Sequence, residues 1–195
     1  MNAIRAKALG TVLIGSLTVA AGCSAYHSGY YYAPKPADLF VAAAADETPG
    51  TAHLLVSVIG VRRADKKAGE PASVEVRMRV VNTGERPVSL EPGSLELVSG
   101  DLERFDTPRV EPAAGLSVAP GETGLVTALF DFPEGKRPRD VDLDTLSLNW
   151  TLRLGDEPVR GTTTFTQRYP YYHHGYYHRY PYGYYRHHFG YRWCD

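Results

Sequence analysis

Leu146, Leu148, Trp150, Leu152 and Leu154 alternate without interruption with Thr145, Ser147, Asn149, Thr151 and Arg153. Successive side chains of an extended strand point to opposite faces, so this segment has one apolar face and one polar face. Wound as a helix, the same residues would be scattered around the axis and no buried stripe would form. The segment is therefore a half-buried strand, and its apolar face needs a second layer to cover it. Val74, Val76, Met78 and Val80 repeat the pattern against Ser73, Glu75, Arg77 and Arg79.

Residues 51–168 carry such signals throughout. A dense β-branched run fills 53–61, and further strands are predicted at 87–90, 95–98, 102–105, 124–132 and 162–167. Turn residues separate them: Asn82-Thr83-Gly84-Glu85, Pro92-Gly93, Ser99-Gly100-Asp101 and Pro120-Gly121-Glu122. No stretch shows a convincing helical period. Seven or eight short strands imply an all-β fold, an antiparallel β-sandwich with Greek-key connections. Trp150 is the expected core anchor, with Phe130 and Phe132 beside it. Each buried apolar side chain of such a strand stabilises by about 1.5–3 kcal/mol. A fold of this kind needs no disulfide.

The order of the turns adds a resemblance. Val80-Val81-Asn82-Thr83-Gly84-Glu85-Arg86-Pro87-Val88, followed by Val118-Ala119-Pro120-Gly121-Glu122-Thr123, is similar to the bacterial immunoglobulin-like domains of envelope proteins. The resemblance implies an immunoglobulin-like sandwich with a habit of binding or spacing. It implies no catalytic residues, since function does not follow from a fold.

The N-terminus reads as an address. Arg5 and Lys7 precede 14 uncharged residues, 8–21, which are too few for a helix spanning a bilayer, where about 20 are needed. They form the core of a signal peptide over 1–22. The segment closes with Val19-Ala20-Ala21-Gly22-Cys23-Ser24, which resembles the lipobox of bacterial lipoproteins, with Ala20 where that family usually has Leu. The resemblance implies that Cys23 becomes a lipidated N-terminus and fixes the chain to a bacterial cell membrane or outer membrane. Ser24, where an Asp often retains such proteins at the inner membrane, implies outer-membrane sorting. Two other readings stand beside it: an ordinary secretory signal with a coincidental cysteine, and an uncleaved anchor. Residues 23–50, rich in Ala, Pro, Gly and Tyr, are expected to be a flexible tether, with a short helical turn near 39–45.

Composition excludes several functions. The net charge of −1, from 21 basic and 22 acidic residues, argues against a nucleic-acid binder. An acyl-transfer enzyme needs a nucleophile beside a base. Outside the last segment the histidines are His27 and His53, no Gly-x-Ser-x-Gly motif occurs, and no Cys falls between Ser24 and Trp193. His53 reads as a strand-end side chain, and the domain is expected not to be an enzyme. Asp140, Asp142 and Asp144 lack the Gly and Glu of an EF-hand, since Thr145 and Thr151 occupy those positions. A calcium site at a sandwich loop stays open to them, but they read better as the wet side of a strand or bend, opposite Val141 and Leu143, with Lys136, Arg137 and Arg139 at hand as partners. Asn149-Trp150-Thr151 spells a glycosylation sequon, discounted on a core strand in a bacterial setting.

The segment 169–195 is a low-complexity tail rich in Tyr and His. Arg168-Tyr169-Pro170-Tyr171 returns as Arg179-Tyr180-Pro181-Tyr182, and no aliphatic residue is present from which to build a core. Its tyrosines, among them Tyr171, Tyr172, Tyr176, Tyr177, Tyr184 and Tyr185, combine flat rings with polar tips. Such rings suit contacts with peptidoglycan, lipid headgroups or envelope proteins. His173, His174, His178, His187 and His188 are candidate ligands for Zn, Cu or Ni, the one cofactor class the sequence suggests. They would also make the tail more cationic below about pH 6.5. A solvated spacer is the remaining reading. Cys194, with Cys23 committed to lipid, is a candidate for a disulfide-linked dimer.

Overall fold

The computed structural model describes residues 25–42 and 52–169. These form an all-β sandwich of two packed antiparallel sheets, with no α-helix among the described residues. In chain order the strands are β1 (Tyr32–Ala33), β2 (Ala37–Val41), β3 (Ala52–Arg62), β4 (Ser73–Asn82), β5 (Val88–Leu90), β6 (Glu96–Ser99), β7 (Arg109–Glu111), β8 (Leu116–Val118), β9 (Thr123–Asp131), β10 (Thr145–Leu154) and β11 (Glu157–Gln167). One sheet has five strands in the order β2-β3-β4-β9-β7. The other has six, ordered β1-β11-β10-β5-β8, with β6 also paired to β10.

The two-residue periods decide which faces meet. Leu146, Leu148, Leu152 and Leu154 are fully buried and oppose Val74, Val76, Met78 and Val80 of the other sheet in one core. Trp150 is 6% exposed, and its indole Nε1 donates to Thr163 Oγ1 across the β10–β11 hairpin at 3.0 Å. The ring lies over Gly161, where an added Cβ would stand 2.3 Å from it. Phe130 is fully buried, and Phe132 packs against Phe105 with ring centroids 5.2 Å apart.

One pole of the sandwich is closed by its turns. Asn82, 1% exposed, donates through Nδ2 to the carbonyls of Arg86 at 2.8 Å and Val118 at 3.0 Å. Its Oδ1 accepts the Gly84 N–H at 3.0 Å, and its backbone N–H and C=O pair with Glu122 and Gly121. The Asn-x-Gly and Pro-Gly-Glu turns are thus a single interlocked unit. Gly121 supports this with a φ of +78°, a left-handed conformation that only glycine adopts without strain.

Three expectations need correction. The segment predicted as a tether supplies β1 and β2, so the sandwich includes residues 25–42 as well as the expected 51–168. The helical turn predicted near 39–45 is strand as far as Val41, because Ala37, Leu39 and Val41 follow a two-residue period and pair with β3. Residues 43–45 lie outside the described residues. Residues 102–105 are not a strand: Leu102 is 81% exposed at φ 63°, and Ser99 Oγ accepts the Glu103 N–H to form a turn. Eleven strands replace seven or eight because the expected tether supplies β1 and β2, and because β7 and β8, with three residues each, are too short to show a period.

Candidate functional site

The chain ends of the described body meet at the pole opposite the Asn82 turns, and the sandwich builds that pole from its N-terminus upward. Arg63 N–H donates to the Ala25 carbonyl and His27 N–H to the Val61 carbonyl, both at 2.9 Å, so the chain lies along the end of β3 from its first described residue. A bulge between Val58 and Gly60 makes room for it, and the Tyr26 ring packs 3.5 Å from the position of a Cβ on Gly60. The Tyr26 hydroxyl donates to Glu75, a carboxylate only 4% exposed. Arg77 holds the other side of that carboxylate, with Nη2 at 2.8 Å and Nε at 2.9 Å. Burial, reinforced by the hydrogen bond to Glu75, raises the Tyr26 pKa. Burial, with the nearby Arg63 charge, lowers that of His27.

The chain then turns at Gly29 (φ +97°) and crosses to the six-stranded sheet. Tyr32 is 4% exposed and its hydroxyl donates to the Leu143 carbonyl at 3.0 Å. Burial raises its pKa strongly. The end of β11 is fastened to the same segment: Gln167 Nε2 donates to the Gly29 carbonyl at 2.9 Å and Arg168 N–H to the Tyr31 carbonyl at 2.6 Å. The Tyr169 hydroxyl donates to Asp144 at 2.7 Å. Between these parts and the 138–144 bend lies an open cleft of about 450 Å³. Tyr30 and Tyr169 line it, Tyr169 being 65% exposed, and the neighbouring Tyr31 is 56% exposed.

A larger cleft of about 680 Å³ lies on the six-stranded sheet, near Trp150, Gly161 and Phe105. Four of its polar side chains are engaged with one another. Asn149 Nδ2 donates to Glu96, Thr162 donates to Asn149, and Arg104 pairs with Glu96 at 2.6 Å. The Asn149 of the sequon is thus tied into a polar ladder on the sheet. His53 sits 3.5 Å from Asp38 and edge-on to Phe40. Asp140, Asp142 and Asp144 are exposed while Val141 and Leu143 are buried. Asp140 pairs with Arg137 and Arg139, whereas Lys136 pairs with Glu103 instead. Among the described residues no cluster of three or more His, Cys, Asp or Glu could hold a metal, and no helix is long and apolar enough to cross a membrane.

The residues that the sequence offers for lipidation, metal binding, partner contacts and disulfide formation lie outside the described residues. They are Cys23, the tail histidines His173, His174, His178, His187 and His188, the tail tyrosines Tyr171, Tyr172, Tyr176, Tyr177, Tyr184 and Tyr185, and Cys194. The Tyr26–Glu75–Arg77 cluster escapes sequence reasoning, because Glu75 occupies an ordinary polar position of an alternating strand.

The fold and this pole define an all-β sandwich module with both described chain ends at one end. No family model matches the chain, and no curated protein matches it. Among solved structures it is similar to the yjhA protein from Bacillus subtilis, at 16% identity over 54% of this chain and 77% of that one, with a TM-score of 0.33. A second, the structural-genomics target SoR45, has 10% identity over 66% of this chain and 93% of its own, with a TM-score of 0.34. Likenesses this weak carry no functional meaning.

Proposed function

We propose that this chain is a lipid-anchored cell-envelope protein whose sandwich is a non-enzymatic structural or interaction module. The observation that carries the proposal is the continuity of the N-terminal segment. Residues 25–32, which follow Cys23 almost directly, are stitched to both sheets by main-chain and tyrosine hydrogen bonds. A pull on an anchor there is borne by the body of the fold. The immunoglobulin-like character of the sandwich rests on its turn motifs and is part of the proposal. Mass spectrometry of protein from native membranes tests the anchor: diacylglycerol on an N-terminal Cys23 is expected, and an unmodified thiol or an attached leader overturns it.

A second reading rests on the five histidines of the tail. Under it the protein binds Zn, Cu or Ni in the envelope. Titration of each ion against chains with and without residues 170–195 decides it. Tail-dependent micromolar binding supports metal capture, and millimolar or absent affinity ends it.

A further inference from the structure

We infer that the pole carrying both chain ends sits directly on an anionic lipid surface, with the 62–70 hairpin and the exposed tyrosines in the headgroup layer. The inference rests on the lipid-anchor reading and replaces the expectation of a tether that holds the domain away. Ser24 alone separates Cys23 from Ala25, whose carbonyl already accepts the Arg63 N–H. Two residue steps reach about 7 Å at most. The headgroup layer of one leaflet is about 5–7 Å thick. A diacylglycerol in the hydrocarbon therefore draws Ala25 and Arg63 to the depth of the lipid phosphates.

The side chains at that depth suit it. The hairpin carries Arg62, Arg63, Lys66 and Lys67 against Asp65 and Glu70. Glu70 pairs with Arg62 at 3.7 Å, and the Asp65 carboxylate accepts the N–H groups of Lys67 and Ala68. Arg63, Lys66 and Lys67 are exposed, and of the three Lys67 lies close enough to the Asp65 carboxylate to help lower its pKa. Of the acids elsewhere at this pole, Asp140 pairs with Arg137 and Arg139, Glu103 with Lys136 and Asp131 with Arg109, while Asp101, Glu134, Asp142 and Asp144 add further carboxylates, so the positive excess is confined to the 62–70 hairpin. Asp142 accepts the Asp144 N–H. Tyr31 and Tyr169 add amphipathic rings of the kind enriched at membrane interfaces. Beyond Tyr169 the chain continues from this same pole with nine more tyrosines, and with Arg179, Arg186 and Arg192 against Asp195.

The test is vesicle co-sedimentation of the mature chain with Cys23→Ser, so that no acyl chain contributes. Phosphatidylglycerol-containing vesicles are compared with pure phosphatidylcholine. Retention on the anionic vesicles is expected to exceed that on the neutral ones at least tenfold and to fall with added salt. The Arg63→Ala, Lys66→Ala, Lys67→Ala triple variant should lose about fivefold per charge removed. Tyr31→Ser with Tyr169→Ser should weaken retention independently, and Arg160→Ala, on the exposed face of β11, should leave it unchanged. Equal retention on both lipids, or an unaffected triple variant, overturns the inference. So does retention on purified peptidoglycan alone. Because the vesicle assay omits the lipid anchor, a negative result leaves the mass-spectrometric test of Cys23 standing.

Discussion

Replacing Asn82 by alanine removes both carbonyl-directed bonds of its Nδ2 and the acceptor for Gly84 N–H in one step. Asn82 is 1% exposed, so water does not replace those partners without rearrangement. A typical hydrogen bond contributes about 1 kcal/mol net, and each buried group left unpaired adds about 1–3 kcal/mol. Three bonds, with relaxation of the exposed turn residues, give a loss of about 3 kcal/mol. For a body of this size that lowers Tm by about 10 °C. Asn82→Asp separates the contributions, since it keeps the oxygen that serves Gly84 but turns the donor into an oxygen facing two carbonyls. Near neutral pH it should be at least as damaging as alanine. Its introduced carboxyl, buried against acceptors, has a folded pKa above the unfolded value of about 3.9. Stability is therefore retained below about pH 4 and lost as pH rises through the folded pKa. Thermal melts of the three proteins across pH measure both effects. A loss under about 1 kcal/mol for Asn82→Ala, or an Asn82→Asp variant insensitive to acid, refutes the interlocked-turn argument.

Two further outcomes follow from the other pole. Burial raises the pKa of Tyr32 and, less strongly, of Tyr26 above the unfolded value near 10. Their contribution is intact below about pH 10 and lost as pH rises above it. Tyr32→Phe should cost about 1 kcal/mol at neutral pH, through the unpaired Leu143 carbonyl, yet flatten the alkaline decline in Tm. Parallel alkaline curves would contradict this. Glu75→Ala should release residues 25–31 without unfolding the sandwich, because bonds to a buried carboxylate contribute about 1.5–3 kcal/mol each. Hydrogen exchange at the His27 and Arg63 amides should then speed up at least tenfold while core amides keep their protection. Unchanged exchange at those two amides would show that Glu75 does not hold the segment.

What the sequence made legible was local. The long strands β4 and β10 declare themselves because a two-residue period needs only the strand's own residues and one buried face, β3 through its dense β-branched run, and β9 as the apolar segment after a Pro-Gly-Glu turn. The Asn-x-Gly and Pro-Gly-Glu segments are likewise recognisable as turns from their own chemistry. Their mutual locking is not, since Asn82 reaches Val118 across 36 residues. The same limit explains the tyrosines near the N-terminus. As a composition they look like one interaction patch with the tail, yet Tyr32 is a core residue bonded 111 positions away, and Tyr26 caps a carboxylate 49 positions away. Only Tyr31 of that group is largely exposed.

This division of labour bears on how the molecule works. A free tether would let the sandwich sample many orientations above a membrane, and the identity of any one surface would matter little. A segment fastened by Tyr26 to one sheet and Tyr32 to the other removes that freedom and selects a pole. The hairpin at 62–70 and the exit of the chain at Tyr169 then share the side of the proposed anchor, while the Asn82 turns lie at the opposite pole. Under the proposed anchoring, the surface presented to a partner is thus selected by the half-buried Tyr26, the buried Tyr32 and Glu75 rather than by residues of that surface itself.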